Sequence, residues 1–241
     1  MLEVSHLRVC YGRMLAVADV SLSVPAGKLI ALVGANGAGK STILRVISGL
    51  IRPELGSILF DGISLVGMRA HKIARIGVAH VPEGRGLLPS LTVDENLRLG
   101  AMGAAPGKSI AADRARIFEY FPALKSRLDQ PASVLSGGEQ QMLSIARALL
   151  KGPRLLMIDE MSLGLAPRLA QQIMEVIVEL ARSGIAILCV EQNTRLVLRH
   201  ADHGYVIETG KTVLEGSGPD LLGNDGVANA YLGSVRAADL G

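Results

Sequence analysis

The chain has 241 residues, of which 49% are hydrophobic, enough for one large domain or for a core with a subdomain. A net charge of only +3 and an aromatic content of 3% disfavour nucleic acid as the main partner. No apolar run reaches the roughly 18 residues needed to span a bilayer, and Met1-Leu2-Glu3 does not read as a signal peptide. We therefore expect a protein that is made and kept in the cytoplasm.

The first third of the chain is predicted to combine an antiparallel layer with the start of a parallel sheet. Residues 2–8 and 15–24 alternate apolar and polar positions, which is typical of half-exposed antiparallel strands. A turn at 25–27 leads into the apolar strand 29–33. Two further short strands are predicted at 57–60 and 76–81. Cys10 and Cys189 lie in apolar strand-like segments without metal-ligand spacing, so we expect two buried, reduced thiols.

A complete phosphate-loop motif lies between the strand 29–33 and a helix that begins at Lys40 and ends near Gly49. It reads Gly34-Ala35-Asn36-Gly37-Ala38-Gly39-Lys40-Ser41 and matches G-x-x-x-x-G-K-[ST]. Glycines let successive backbone N–H groups point at phosphate oxygens, and the helix N-terminus adds partial positive charge. Lys40 is placed to reach the β and γ phosphates, and the Ser41 hydroxyl is the expected Mg²⁺ ligand.

The alternative to a phosphate loop is a glycine-rich turn before an unrelated helix, and the strand-loop-helix context disfavours it. We therefore predict that the motif binds ATP or GTP. The residues assigned to the nucleotide are Gly34, Asn36, Gly37, Ala38, Gly39, Lys40, Ser41 and Thr42.

Helices are predicted from about residue 84 to 150. Two capping boxes, Thr92-Val93-Asp94-Glu95 and Ser136-Gly137-Gly138-Glu139, each mark the start of a helix. A further helix is expected at 110–121. The last helix stops at Lys151-Gly152-Pro153, which supplies a basic last turn, a glycine and a breaker.

The remainder of the chain is predicted to contain a βαβ unit of a parallel sheet. An apolar strand at 155–158 is followed by an amphipathic helix at 168–183 and a strand at 185–190. A short β pair at 205–207 and 212–215 and a helical tail follow. We predict a single α/β domain, in which 1–83 and 151–241 form the core and about 84–150 form an inserted helical subdomain.

Four features stand in order along the chain: Tyr11, the phosphate loop, Leu135-Ser136-Gly137-Gly138-Glu139, and an apolar strand ending in Asp159-Glu160. Together they resemble the ATP-binding subunit of an ABC transporter, over essentially all 241 residues. The resemblance implies a P-loop NTPase core with a RecA-like parallel sheet, an N-terminal antiparallel β layer and an inserted helical subdomain. It also implies ATP hydrolysis with ATP and Mg²⁺ as cofactors.

The two acidic residues have separate expected roles. Asp159, at the carboxyl end of its strand, can hold Mg²⁺ through water. Glu160 can orient or deprotonate the attacking water. The alternative is that paired acids simply end a buried strand in solvent, and the nearby phosphate loop disfavours it.

Two further sites carry alternatives. The glycines of Ser136-Gly137-Gly138-Glu139 open a helix with bare N–H groups, so the segment is either a second anion site or an ordinary helix cap. The resemblance implies that it meets the γ-phosphate bound to the other subunit of a dimer. By the same resemblance Tyr11 stacks on adenine, although a lone Tyr is equally plausible as a strand residue.

The chain departs from the family pattern at four positions: Glu83 for a usual Gln, Gln192 for the switch His, Ala166 for a usual Asp and Met161 for a frequent Pro. A carboxylate at Glu83 can still ligate Mg²⁺. Gln192 can donate to phosphate but cannot carry a proton. We therefore expect Glu160 to be the main catalytic group, with Lys40 and Gln192 assisting it.

Segments containing these substitutions, with Leu-Ser-Gly-Gly-Glu-Gln-Gln and Ala230-Tyr231-Leu232-Gly233, look like the smaller ATPase of the branched-chain amino acid uptake system. The resemblance implies three kinds of partner: a second ABC ATPase subunit in a homo- or heterodimer, integral membrane permease subunits and a periplasmic binding protein. Membrane contact on the inner face of the cell membrane would occur only through the permease, whose coupling helices would dock at 83–97.

Three alternatives stay open from the sequence. The same subunit could serve urea, amides or other amino acids. A non-transport ABC ATPase acting on ribosomes or DNA is disfavoured, because its relatives generally carry tandem ATPase units or long coiled-coil insertions. A nucleotide-gated structural partner with little turnover would account for Gln192 and Ala166.

Overall fold

The computed structural model describes residues 1–102, 110–224 and 227. Among these residues no helix is both long enough and apolar enough to cross a membrane. Most of the predicted helical tail, including Ala230-Tyr231-Leu232-Gly233, lies outside the described residues.

Ten strands of the described residues form one sheet. In chain order they are β1 (Leu2–Tyr11), β2 (Met14–Val24), β3 (Leu29–Val33), β4 (Leu55–Phe60), β5 (Ile63–Ser64), β6 (Val78–Val81), β7 (Leu155–Asp159), β8 (Ala186–Glu191), β9 (His203–Glu208) and β10 (Lys211–Gly216). Across the sheet the order is β5-β4-β1-β2-β10-β9-β3-β8-β7-β6.

The predicted antiparallel layer is confirmed in β1, β2, β4 and β5. Leu2 pairs with Val24 on one side and with Phe60 on the other. These three side chains are buried, as expected where one face of an antiparallel sheet covers a core and the other faces solvent.

The predicted parallel core is confirmed in β3, β8, β7 and β6, which pair in parallel in that order. β9, predicted only as half of a short β pair with β10, also pairs in parallel with β3. Every residue of β3, β7 and β8 is buried, which explains why their sequences are continuous apolar runs. Val33 pairs with Glu191, and Asp159 pairs with Val190. The carboxyl ends of these three strands therefore lie side by side, where open α/β sheets bind ligands.

The helices of the described residues are α1 (Lys40–Ile47), α2 (Ala70–Arg75), α3 (Val93–Ala101), α4 (Ile110–Tyr120), α5 (Pro122–Lys125), α6 (Gly137–Leu149), α7 (Pro167–Arg182), α8 (Thr194–Leu198) and α9 (Gly218–Leu222), with a 3₁₀ turn at Ala132–Val134. Both capping boxes are confirmed at the starts of α3 and α6. The sequence analysis missed α2, α5 and α8, because helices of four to six residues are too short to show a 3.6-residue period.

Helices cover both faces of the parallel sheet. On one face α1 packs Ile43, Leu44 and Ile47 into a core with alternate residues of β3, β7 and β8. On the other face α6 and α7 pack against the remaining residues of the same strands. Helix α1, which follows the phosphate loop, and helix α6, which is capped by Ser136, therefore lie on opposite sides of the sheet.

Two expectations need correction. Cys189 is buried, but Cys10 is only partly buried, and its thiol donates to Glu54 Oε2 over 3.1 Å. Register shifts along β1, one of them between Val9 and Cys10, break the simple alternation on which that expectation rested. The strand predicted at 76–81 begins only at Val78, because Gly77 turns the chain with φ of 100° after α2.

Candidate functional site

The phosphate loop is held in a shape that requires glycine. Gly34 has φ of 153°, and a Cβ added there would lie 2.1 Å from the backbone oxygen of Ile207. Gly39 has φ of 102°, and its Cβ would lie 2.5 Å from the backbone oxygen of Ala16. Side chains at these two positions would force the loop away from its neighbouring strands.

The loop exposes a row of backbone donors. In the part of the chain that the structure describes, the amides of Asn36, Gly37 and residues 39–42 donate to no backbone carbonyl. The last four belong to the N-cap and first turn of α1, where the helix itself provides no acceptor. Converging free amides at a helix N-terminus form a ready-made site for a phosphate group.

Lys40 lies at the centre of this loop and is only 4% exposed. Its Nζ donates to the backbone oxygens of Gly34 and Ala35, over 2.8 and 2.9 Å. Burial lowers the pKa of Lys40, and the negative charges of Glu160 and Asp159 oppose that shift. A Lys ammonium has three donors, so one donor remains beyond the two that hold the loop.

Ser41 and Asp159 meet across the end of the sheet. Ser41 Oγ donates to Asp159 Oδ1 over 3.1 Å. Burial raises the pKa of Asp159; the hydrogen bond from Ser41 opposes the shift, and the charges of Glu160 and Glu83 add to it. Negative charge gathered around a hydroxyl and a carboxylate oxygen favours a hard cation at this place.

The residues present fit Mg²⁺ as a nucleotide-associated ion. Among the described residues no group of three or more His, Cys, Asp or Glu side chains is arranged to hold a metal alone. Mg²⁺ is usually bound through one or two carboxylates and completes its shell with water and substrate phosphates. The carboxylates of Asp159 and Glu83, with the Ser41 hydroxyl, match that description.

Glu160 has an unusual backbone, with φ of 51°. This left-handed region costs a residue with a Cβ about 1–2 kcal/mol. Two contacts to the end of β8 hold it there: the Glu160 amide donates to Val190 O over 2.9 Å, and Gln192 Nε2 donates to Glu160 Oε2 over 2.8 Å. The carboxylate is therefore oriented by the neighbouring strand end.

A cavity of about 390 Å³ joins most of the predicted residues. Its lining is Tyr11, Met14, Leu15, Ala16, Asn36, Gly37, Gly39, Lys40, Ser41, Thr42, Glu83, Glu160 and Gln192. Tyr11 is the last residue of β1 and is 39% exposed, and its hydroxyl lies 3.4 Å from Thr42 Oγ1. The apolar side chains of Met14 and Leu15 beside it were not predicted.

The segment Ser136-Gly137-Gly138-Glu139 does not line that cavity. Ser136 Oγ accepts from the Glu139 amide, and the Glu139 carboxylate accepts in return from the Ser136 amide over 2.9 Å. The amides of Gly137 and Gly138 have no acceptor among the described residues. A Cβ at Gly138 would lie 1.9 Å from Leu169 Cδ2, so α7 packs directly on this helix start. The segment thus presents two free amides at a distance from the chain's own phosphate loop.

Comparison with known proteins agrees with this geometry. The family model described as ABC transporter matches residues 17–162. The chain is 45% identical over 233 residues to the high-affinity branched-chain amino acid transport ATP-binding protein BraG of Pseudomonas aeruginosa, covering 97% of this chain and all of BraG. The chain belongs to the ABC transporter family.

Other relatives support the same assignment of this ABC cassette. The probable branched-chain amino acid transport ATP-binding protein LivF of Archaeoglobus fulgidus is 32% identical, covering 98% of this chain and all of LivF. Among solved structures, the ADP conformation of MJ1267, an ATP-binding cassette of an ABC transporter, aligns with a TM-score of 0.84 and 29% identity, covering 97% of this chain and 98% of that one. The chain is thus a nucleotide-binding, ATP-hydrolysing α/β cassette.

Glu191 of this ABC cassette was not predicted as a site residue. It is 1% exposed at the end of β8, next to Gln192, and it accepts from the Ser162 amide and hydroxyl over 2.9 and 2.6 Å. Burial raises the pKa of Glu191, and the bonds from Ser162 oppose that shift. The sequence signal was a carboxylate directly after the apolar run 185–190, where a buried position is expected.

Proposed function

We propose that this chain is the motor subunit of an importer for branched-chain amino acids, and that it drives transport by binding and hydrolysing ATP. The observation that carries the proposal is one cavity joining the phosphate loop, Glu160 and Gln192, in a chain 45% identical over its length to BraG. The proposal of branched-chain amino acids as the substrate rests on the similarity to BraG and LivF and not on the cavity.

We assign roles to the residues around the phosphates. The free amides of the loop and Lys40 bind the β and γ phosphates, and the apolar face formed by Tyr11 and Leu15 takes the adenine ring. Ser41, Asp159 and Glu83 would hold Mg²⁺, and the bound ion would neutralise charge on the phosphate oxygens. Glu160 holds the attacking water and accepts its proton. Gln192 fixes the Glu160 carboxylate and carries no proton itself.

The working unit in this proposal is a dimer. Gly137 and Gly138 present free amides away from the chain's own loop, so they suit a phosphate bound to a second ABC ATPase subunit. The dimer closes when it binds two ATP molecules and opens again after hydrolysis. Because ATP binds the closed dimer better than the open one, these changes shift the permease between its conformations.

We further propose that residues 84–150 form a helical subdomain that receives the permease. A cavity of about 430 Å³ lies between α2, β6, α3 and α6, and Pro82 and Gly86 line its edge. Arg147 and Lys151 also line it, so its cations would favour an acidic or carbonyl-rich segment of the permease. This arrangement would keep the chain at the inner face of the membrane without its own membrane contact.

Uptake by cells tests the proposal. Cells carrying only the Glu160→Gln chain should lose uptake of leucine, isoleucine and valine and keep urea uptake. The matched control is Glu179→Gln, which makes the same chemical change at an exposed position of α7 away from the cavity. Loss of urea uptake with normal amino acid uptake would show that the transported substrate is urea and not an amino acid. Unchanged uptake of both would contradict the transport proposal and favour a non-transport ATPase.

A further inference from the structure

The end of β8 contains a buried carboxylate that the roles assigned above do not use. Glu191 is 1% exposed and is the last residue of β8, the strand that lies between β3 and β7 in the sheet. Burying a carboxylate without hydrogen bonds to its oxygens destabilises the fold. The groups that donate to Glu191 therefore indicate its structural role. Both of its oxygens accept hydrogen bonds from Ser162, one from the amide and one from the hydroxyl. Burial raises the pKa of the carboxyl group, and these two bonds and one from the backbone of Asn193 oppose that rise.

Ser162 belongs to the turn that connects the catalytic carboxylate to α7. It lies two residues after Glu160, and its own carbonyl accepts from the Leu165 amide over 3.1 Å. The amide and hydroxyl of Ser162 reach Glu191 over 2.9 and 2.6 Å. Hydrogen bonds to a charged acceptor are about twice as strong as neutral ones, so these two bonds tie the turn firmly to the end of β8.

Three successive residues, the last two of β8 and the one that follows it, thus hold the turn. Val190 accepts from the Glu160 amide, Glu191 holds Ser162, and Gln192 donates to the Glu160 carboxylate. Glu160 between them has the left-handed backbone with φ of 51°. Such a conformation persists only where the surroundings fix it. Two of the three contacts act on Glu160 itself, and Glu191 supplies the third by holding the residue just beyond it.

We infer that Glu191 is a positioning residue for ATP hydrolysis: acting through Ser162, it fixes the turn that aims the Glu160 carboxylate at the attacking water. The inference rests on the proposed role of Glu160. Because neither Glu191 nor Ser162 lines the nucleotide cavity, loss of their contact should affect turnover and leave ATP binding unchanged.

The test uses the complex captured through a tag on this chain, with ATP hydrolysis measured for Ser162→Ala, Glu191→Leu, Glu191→Gln and the double variant Ser162→Ala/Glu191→Leu. We expect Ser162→Ala to lower kcat about tenfold, the worth of one charge-assisted hydrogen bond, with KM for ATP unchanged within about twofold. Glu191→Gln keeps one acceptor oxygen and should retain more activity than Glu191→Leu. The double variant should be no slower than Glu191→Leu, because both substitutions disrupt the same contact between Ser162 and Glu191 and their effects should not add.

The matched control is Ser183→Ala, which removes a serine hydroxyl that donates to Leu180 O at the far end of α7. It should leave both kcat and KM unchanged. Additive losses in the double variant, or a rise in KM with kcat unchanged, would overturn the inference. Wild-type turnover in Glu160→Gln, measured in the same assay, would instead overturn the role of Glu160 on which the inference depends.

Discussion

Gly34→Ala places a methyl group where the phosphate loop has no room for one. The added Cβ would lie 2.1 Å from the backbone oxygen of Ile207, in β9. The backbone φ of 153° is also a conformation that residues with a side chain rarely adopt. The loop cannot simply move away, because Val33 pairs with Val206 just before it and Gly210 N donates to Ala38 O within it.

A matched change separates the collision from the backbone effect. Gly37 has φ of 79°, and an added Cβ there would meet no atom within 4 Å. We expect Gly37→Ala to lower the free energy of unfolding by about 1 kcal/mol, because alanine is strained in the left-handed backbone conformation. The lower conformational entropy of the unfolded alanine variant partly offsets this loss. Gly34→Ala adds a backbone strain of about 1–3 kcal/mol and also displaces β9. We therefore expect it to lower the free energy of unfolding by at least about 3 kcal/mol.

Thermal unfolding without nucleotide, followed by circular dichroism, measures the difference. In a chain of this size 1 kcal/mol corresponds to about 2–4 °C in Tm. Gly34→Ala should therefore lower Tm by at least about 6 °C, and Gly37→Ala by no more than about 4 °C. A Gly34→Ala protein that melts together with Gly37→Ala would refute the claim that the loop is pinned against Ile207.

Three other substitutions test the nucleotide site, the buried side chain of Asn96 and the burial of His80. Lys40→Ala should weaken ATP binding about 10- to 100-fold in calorimetry, the worth of a charged hydrogen bond, and a normal Kd would count against the loop assignment. Asn96 is fully buried and bonds the backbone of Leu88, Leu91 and Thr92, so Asn96→Leu should lower the free energy of unfolding by about 2–3 kcal/mol; equal denaturation midpoints would contradict this. Burial lowers the pKa of His80 to about 4, below the unfolded value, so its stabilising effect is present near pH 7 and lost as pH falls from about 6.5 to 4. Between pH 7 and 5 the wild type should lose about 2 kcal/mol more than His80→Phe; parallel pH curves would show that His80 is not buried in its neutral form.

The long elements and the phosphate loop could be predicted because each is specified locally. The apolar runs of β3, β7 and β8 are continuous since those strands are buried on both faces. Capping boxes marked the starts of α3 and α6, where side-chain and backbone bonds close within four residues. Such signals need no knowledge of distant parts of the chain.

The contacts that orient the site could not be predicted, because they depend on how strands pair. The bond from Gln192 to Glu160 spans 32 residues and requires β7 and β8 to be neighbours in one register. The tether between Glu191 and Ser162 depends on the same register. The expectation for Cys10 was wrong for a related reason, since register shifts in β1 changed which side chains face inward.

We propose that Glu160 is the catalytic base for ATP hydrolysis in the site formed by the phosphate loop. The most direct test measures ATP affinity and single-turnover phosphate release for wild type, Glu160→Gln and the control Glu179→Gln, in the complex captured through this chain. We expect wild-type ATP affinity for all three proteins and a loss of about 100-fold or more in hydrolysis for Glu160→Gln alone. Unchanged phosphate release by Glu160→Gln would contradict the catalytic role of Glu160.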